Sequence, residues 1–224
     1  MTVESAPQEK VEFTPLVTYT LMALNVIIFL WDRDGHLFWQ RSQFADLALK
    51  PVEVVSAVRG TGDPNALVTI FTSMFLHGNL GHLLANMLFL YTFGEAIEET
   101  IGPLRFCLYY FFWGIFAAAA HVAVMPHSYT PMLGASGAIG GILGCFFLLF
   151  PSNKLTIYFF VFSVDAAAWV LLGLWFVSQI LMPGVGVANW AHVGGFLGGM
   201  LTVLILGGRE RVLKDSPLAD ELDG

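Results

Sequence analysis

The sequence predicts an all-α membrane protein built as a bundle of six spanning helices. Three observations carry this: 56% of the 224 residues are hydrophobic, only 12% are charged, and the apolar residues gather into six long runs. A soluble domain carries roughly twice that charged fraction, whereas a helix that crosses a bilayer needs about 20 mostly apolar residues.

The runs cover 15–31, 67–93, 104–125, 132–150, 164–182 and 188–206. The first reads as a span and not as a signal peptide. Its leader carries Glu4, Glu9 and Glu12 against Lys10, and no small-residue cleavage site follows. The runs divide the chain into a cytoplasmic tail (1–14), a membrane domain (15–207) and an acidic cytoplasmic tail (208–224). That last tail holds Glu210, Asp215, Asp220, Glu221 and Asp223, and so supplies part of the net charge of −7. No basic patch suited to nucleic acid is present. Cys107 and Cys145 both fall inside apolar runs, where thiols behave as small hydrophobes. With no metal-ligand spacing, no metal or other cofactor is expected.

Orientation follows from Lys and Arg. With both termini cytoplasmic, the inner segments hold Lys10, Arg105, Lys154, Arg209, Arg211 and Lys214, while 126–131 and 183–187 hold none. The connection 32–66 is the exception, since it carries Arg33, Arg41, Lys50 and Arg59 on the outside. Half of it is apolar, and Phe38 and Trp39 are suited to anchor it in the headgroup layer. A connection this long in a compact protein is functional or partly folded.

Strongly polar side chains inside a span are costly and mark function. The second run contains His77, His82 and Asn86, the fourth Ser136, and the sixth His192. Ser136 and His192 are each the fifth residue of their run, roughly 6 Å below the external boundary at 1.5 Å per residue. The glycine pairs Gly137/Gly141, Gly194/Gly198 and Gly195/Gly199 let their helices approach closely. Ser136 is therefore expected to face His192.

A serine hydroxyl becomes a nucleophile when a neighbouring base takes its proton, and a neutral imidazole does this near pH 7. The developing oxyanion needs fixed donors. His82 and Asn86, four apart on one helix face, qualify, as do the backbone N–H groups of Ala135 and Ser136 near a helix start. His77 lies about 140° round that helix from His82 and is left out. Asp165 is expected to begin the fifth helix at the cytoplasmic boundary, more than about 20 Å from Ser136, so a Ser–His dyad fits better than a triad. Trp169, Trp175 and Phe176 read as packing anchors.

At these residues the sequence resembles the rhomboid family of intramembrane serine proteases, over roughly 67–206. GASGAIGG (134–141) is similar to the family's GxSG, and AHVGGFLGG (191–199) to its AHxxG element. HGNLGHLLANMLFL (77–90) has the spacing of its second-helix His and Asn, and FGEAIEETIGPLRFCLYY (93–110) resembles its link to the third helix. The resemblance implies the six-helix rhomboid fold. It also implies a serine endopeptidase with catalytic Ser136 and His192 and oxyanion-stabilising His82 and Asn86, free of metal. It further implies transmembrane protein substrates cut near small residues, a fifth helix acting as a lateral gate, and a 32–66 loop half-sunk in the bilayer. The location expected is a bacterial-type cytoplasmic membrane. Two departures stand out. Gly140 sits where some members place a larger residue against the histidine, leaving that face bare, and the proline that often precedes the fifth helix's Ala-Trp is missing, the chain reading Asp-Ala-Ala-Ala-Trp over 165–169. The alternatives are a catalytically silent rhomboid-like protein that binds membrane helices, and a small channel or transporter. The latter fits less well, since the inner halves of runs four and six are almost wholly apolar.

Overall fold

A computed structural model describes residues 13–38, 42–158, 163–182, 184 and 187–216. Trp39 and the tail residues Glu4, Glu9, Lys10, Glu12, Asp220, Glu221 and Asp223 lie outside them. The chain is mostly helical. Helix α1 (Leu16–Trp31) leads into the long connection, which holds a 3-10 turn (Ala45–Leu47), helix α2 (Pro51–Val58) and a second 3-10 turn (Pro64–Leu67). There follow α3 (Thr69–Thr72), a third 3-10 turn (Ser73–Phe75), α4 (Leu80–Ile101), α5 (Pro103–Val124) and α6 (Ser136–Leu149). Strands β1 (Lys154–Tyr158) and β2 (Ser163–Ala167) precede α7 (Ala168–Leu181), α8 (Asn189–Ile205) and α9 (Arg209–Lys214).

The second apolar run is not one span. Its helix is interrupted, and α4 begins only at Leu80 because the Asn79 side chain accepts the His82 N–H at 2.8 Å and caps the helix. Helix α4 then continues well past Phe93. It carries Glu98 into a site of zero exposure, where the carboxylate accepts the N–H groups of Val17 (2.9 Å) and Thr18 (2.7 Å) at the start of α1. An anion at a helix N-terminus satisfies amides that have no partner in the helix, so a charged residue is kept inside an apolar bundle. Gly102, at φ +83°, ends α4, and Pro103 opens α5.

The hairpin departs from the all-α expectation. Its strands pair antiparallel from Lys154↔Ala167 to Tyr158↔Ser163. Asp165 therefore starts no helix: it lies in β2 and accepts the Thr156 hydroxyl at 2.8 Å. By length, among the described residues only α4 and α5, at 22 residues each, suffice alone for a bilayer. Helices α1, α6, α7 and α8, with 16, 14, 14 and 17 residues, fall short of about 20.

Helix α6 is the centre of the fold and packs most intimately on α8. A methyl group added at Gly195 would meet the Gly137 carbonyl, and one at Gly199 the Gly141 carbonyl. Gly194 and Gly198 instead face α5, at Ala120 and Phe116. The two glycine pairs of α8 thus serve two neighbours. Gly140 is not bare either, because a Cβ there would stand 3.0 Å from the His192 carbonyl oxygen. Polar ties reinforce the contacts: the Trp113 indole donates to Thr202 Oγ1 at 2.9 Å, and the Cys145 thiol to the Gly199 carbonyl at 3.2 Å.

Candidate active site

Ser136 is the first residue of α6, and His192 lies in the first turn of α8. Their side chains meet, with His192 Nε2 2.9 Å from Ser136 Oγ. The backbone contact between Gly140 and His192 brings the two helix starts to this distance. As the first helical residue, Ser136 also presents an N–H with no partner inside its helix.

The pair borders a cavity of about 750 Å³ that is also lined by His82, Asn86, His121 and Trp175. His82 and Asn86 reach it from one face of α4, against the segment leading into Ser136. That segment closes tightly on them at Gly134, whose φ is +123°. A Cβ there would stand 2.8 Å from the His82 ring and 3.5 Å from Asn86 Nδ2. Glycine is required at this position both by its φ and by the lack of space. The Gly134 N–H donates to the Ser73 carbonyl at 2.8 Å, and Met132 exchanges two backbone hydrogen bonds with Leu49. Asn86 Nδ2 is buried and has no partner among the described residues. Asn86 and Ser136 line the same cavity.

His77 is buried in the turn before α4 and does not line the cavity. Its ring stands 5.2 Å from that of His82. Arg33 holds this turn, donating through Nη2 to the carbonyls of His77 (2.7 Å) and Gly78 (3.0 Å) and through Nη1 to Asp32 (2.7 Å). Its guanidinium also lies 4.1 Å over the Phe29 ring. The other Asp32 oxygen accepts the Ser42 hydroxyl and the Phe44 N–H, each at 2.8 Å. Arg33 and Asp32, expected on an external loop, are buried and tie that loop to the start of α4.

Three residues of the site escaped the sequence reading. Gln179 on α7 places Oε1 2.7 Å from His192 Nδ1. Asn189 donates to the same oxygen at 3.0 Å and accepts the Gly184 N–H at 3.2 Å. Trp175, read as a packing anchor, lies against the imidazole with ring centroids 5.8 Å apart and planes at 33°. The available signal was an amide inside an apolar run, because polar groups at such places call for a partner.

Comparison with known proteins gives the family. The chain matches the Rhomboid domain family over residues 64–209, more than half its length. It is 34% identical over 201 residues to Rhomboid protein 1, mitochondrial, of Saccharomyces cerevisiae, covering 83% of this chain and 51% of that protein. It is 30% identical over 138 residues to Rhomboid protease GluP of Bacillus subtilis (62% and 26%), and 31% over 150 residues to RHOMBOID-like protein 12, mitochondrial, of Arabidopsis thaliana (58% and 43%). The chain thus spans about half or less of the length of these relatives. Two of them are named for mitochondria, so the likeness does not support the bacterial membrane expected from the sequence. The chain belongs to the rhomboid family of integral membrane proteins.

Proposed function

We propose that this chain is an intramembrane serine endopeptidase that cuts transmembrane or juxtamembrane segments of other membrane proteins. The family is generally one of such proteases, although some members are inactive. The observation that carries the reading is the 2.9 Å contact between Ser136 Oγ and His192 Nε2 at the edge of a cavity large enough for a peptide segment.

Ser136 attacks the scissile carbonyl carbon while His192 Nε2 takes the hydroxyl proton. The oxyanion that forms is held by the side chains of His82 and Asn86 and by the Ser136 N–H. The tetrahedral intermediate collapses, the C–N bond breaks, and His192 returns the proton to the departing amine. Water, with one proton drawn off by His192, then attacks the acyl-serine ester; the C–Oγ bond breaks, His192 returns the proton to Ser136 Oγ, and the second product leaves with its new carboxyl group. In this reading α1, α4, α5, α6, α7 and α8 are six spans, completed where short by flanking segments. Residues 15–207 form the protease domain, 32–66 lie at the membrane surface, and the tails 1–14 and 208–224 share the cytoplasmic face.

A serine-directed fluorophosphonate tests the assignment on detergent-purified protein. Wild type is expected to label, and Ser136→Ala and His192→Ala are not. Equal labelling of Ser136→Ala would reject the nucleophile. A silent helix-binding relative would leave wild type unlabelled.

A further inference from the structure

The hydrogen bonds around His192 fix their own direction. The Gly184 N–H can only donate, so Asn189 Oδ1 is the acceptor and Asn189 Nδ2 points the other way. Nδ2 can only donate, so the Gln179 atom it meets at 3.0 Å is the carbonyl oxygen. That oxygen can only accept, so His192 Nδ1, 2.7 Å away, carries the proton. Nε2 is then left with a free lone pair, aimed at Ser136 Oγ. The tautomer of the base follows from a backbone amide two side chains away. If the Gln179 amide were turned over, its NH₂ would face the Asn189 NH₂, with two donors opposed.

We propose that Gln179 is the positioning residue that holds His192 as the Nδ1–H tautomer, with Asn189 fixing the amide, so that α7 completes a neutral Gln–His–Ser relay. The inference rests on the protease reading above. It accounts for the absence of an acidic third member: an amide oxygen orients the imidazole and accepts the Nδ1–H hydrogen bond without adding a charge inside an apolar bundle. Trp175, one turn earlier on α7, covers the ring, and Gly140 packs on the backbone beneath. The other titratable groups facing the cavity are His82 on α4 and His121 on α5, and among the described residues no carboxylate lines it.

The first test uses the unaltered protein. With ¹⁵N-labelled histidine in detergent, the His192 signal, identified by its loss in His192→Ala, is expected to show protonated Nδ1 and bare Nε2 at neutral pH. A dominant Nε2–H form would overturn the proposal. The second test compares fluorophosphonate labelling rates across pH. Gln179→Met keeps the length but removes the acceptor and is expected to label roughly 100-fold more slowly, within the about 10²–10⁴ that general-base assistance contributes. Gln179→Glu keeps the acceptor and adds a charge that favours imidazolium. Its acid limb is therefore expected to move to higher pH, a shift that loss of packing alone would not produce. Wild-type rates and profiles in both variants would overturn the proposal, while a blank Ser136→Ala in the same series would leave the protease reading standing. Labelling of Ser136→Ala at the wild-type rate would instead sink that reading.

Discussion

Gly199 of α8 lies directly against the carbonyl oxygen of Gly141 on α6, with no room between them for a methyl group. Gly195 repeats the arrangement one turn nearer the site, against the carbonyl of Gly137. The neighbour in each case is backbone, which cannot rotate out of the way. Gly199→Ala and Gly195→Ala are therefore expected to force the helices apart at about 1–3 kcal/mol each and to slow labelling at Ser136. Gly173→Ala on α7 is the control. Its new Cβ would meet only Phe147 at 3.7 Å, and it is expected to be neutral or slightly stabilising through helix propensity. Thermal melts in detergent distinguish these outcomes, and equal melting of all three variants would refute the packing account.

Gly134 is expected to be far more sensitive in activity than in stability. Alanine there takes on a φ of +123° and presses on the His82 ring. The backbone strain alone is about 1–3 kcal/mol, and relief comes by moving the ring or the lead-in to Ser136. Gly134→Ala is predicted to melt within a few degrees of wild type and to lose most labelling. A variant that labels normally would show that the lead-in does not depend on this conformation.

The proposed oxyanion donors predict a kinetic signature. His82→Ala and Asn86→Ala each remove a side chain that acts on charge appearing in the transition state. Turnover is expected to fall about 10²–10³-fold with KM little changed. The readout is cleavage of a membrane-anchored reporter in liposomes at several substrate densities. A rise in KM at constant kcat would reassign both residues to substrate binding.

Arg33→Ala is expected to be the most destabilising single change outside the helix contacts. It strands Asp32 in a site only 1% exposed and frees the carbonyls of His77 and Gly78. Removing one partner of a buried pair costs about 3–5 kcal/mol. The double variant Asp32→Ala/Arg33→Ala is expected to lose less than the two single losses together. Strict additivity in the melts would mean the pair is not coupled.

The apolar runs and their glycine spacing made α5, α6 and α8 legible to within a few residues, because each is bounded by a break in hydropathy. The same signal misread two regions. In the second run apolar residues flank the polar break His77–Asn79 on both sides, so the whole run reads as one span and the interruption was hidden. Asn79, with the geometry of a helix cap, was the visible clue. In the fifth run Val164, Ala166 and Ala167 count as apolar whether helical or extended, and Asp165 is as much at home at a helix start as in a strand. Only the pairing with Lys154–Ile157, a contact outside any local window, makes them a strand. Ser136 and His192 were visible as polar groups of matched depth. Gln179 was not, because the group expected to orient a base is an acid, and a neutral amide inside an apolar run reads as packing.

The backbone bridge between Leu49 and Met132 also bears on how the protein is made. A ribosome delivers Leu49 long before Met132, so the first partner must wait, with its N–H and C=O groups unengaged, until α4 and α5 have been synthesised between them. The lead-in to Ser136 is fixed only when that pairing forms, and His192 emerges later still. A growing chain therefore lacks the Ser136–His192 pair through most of its synthesis.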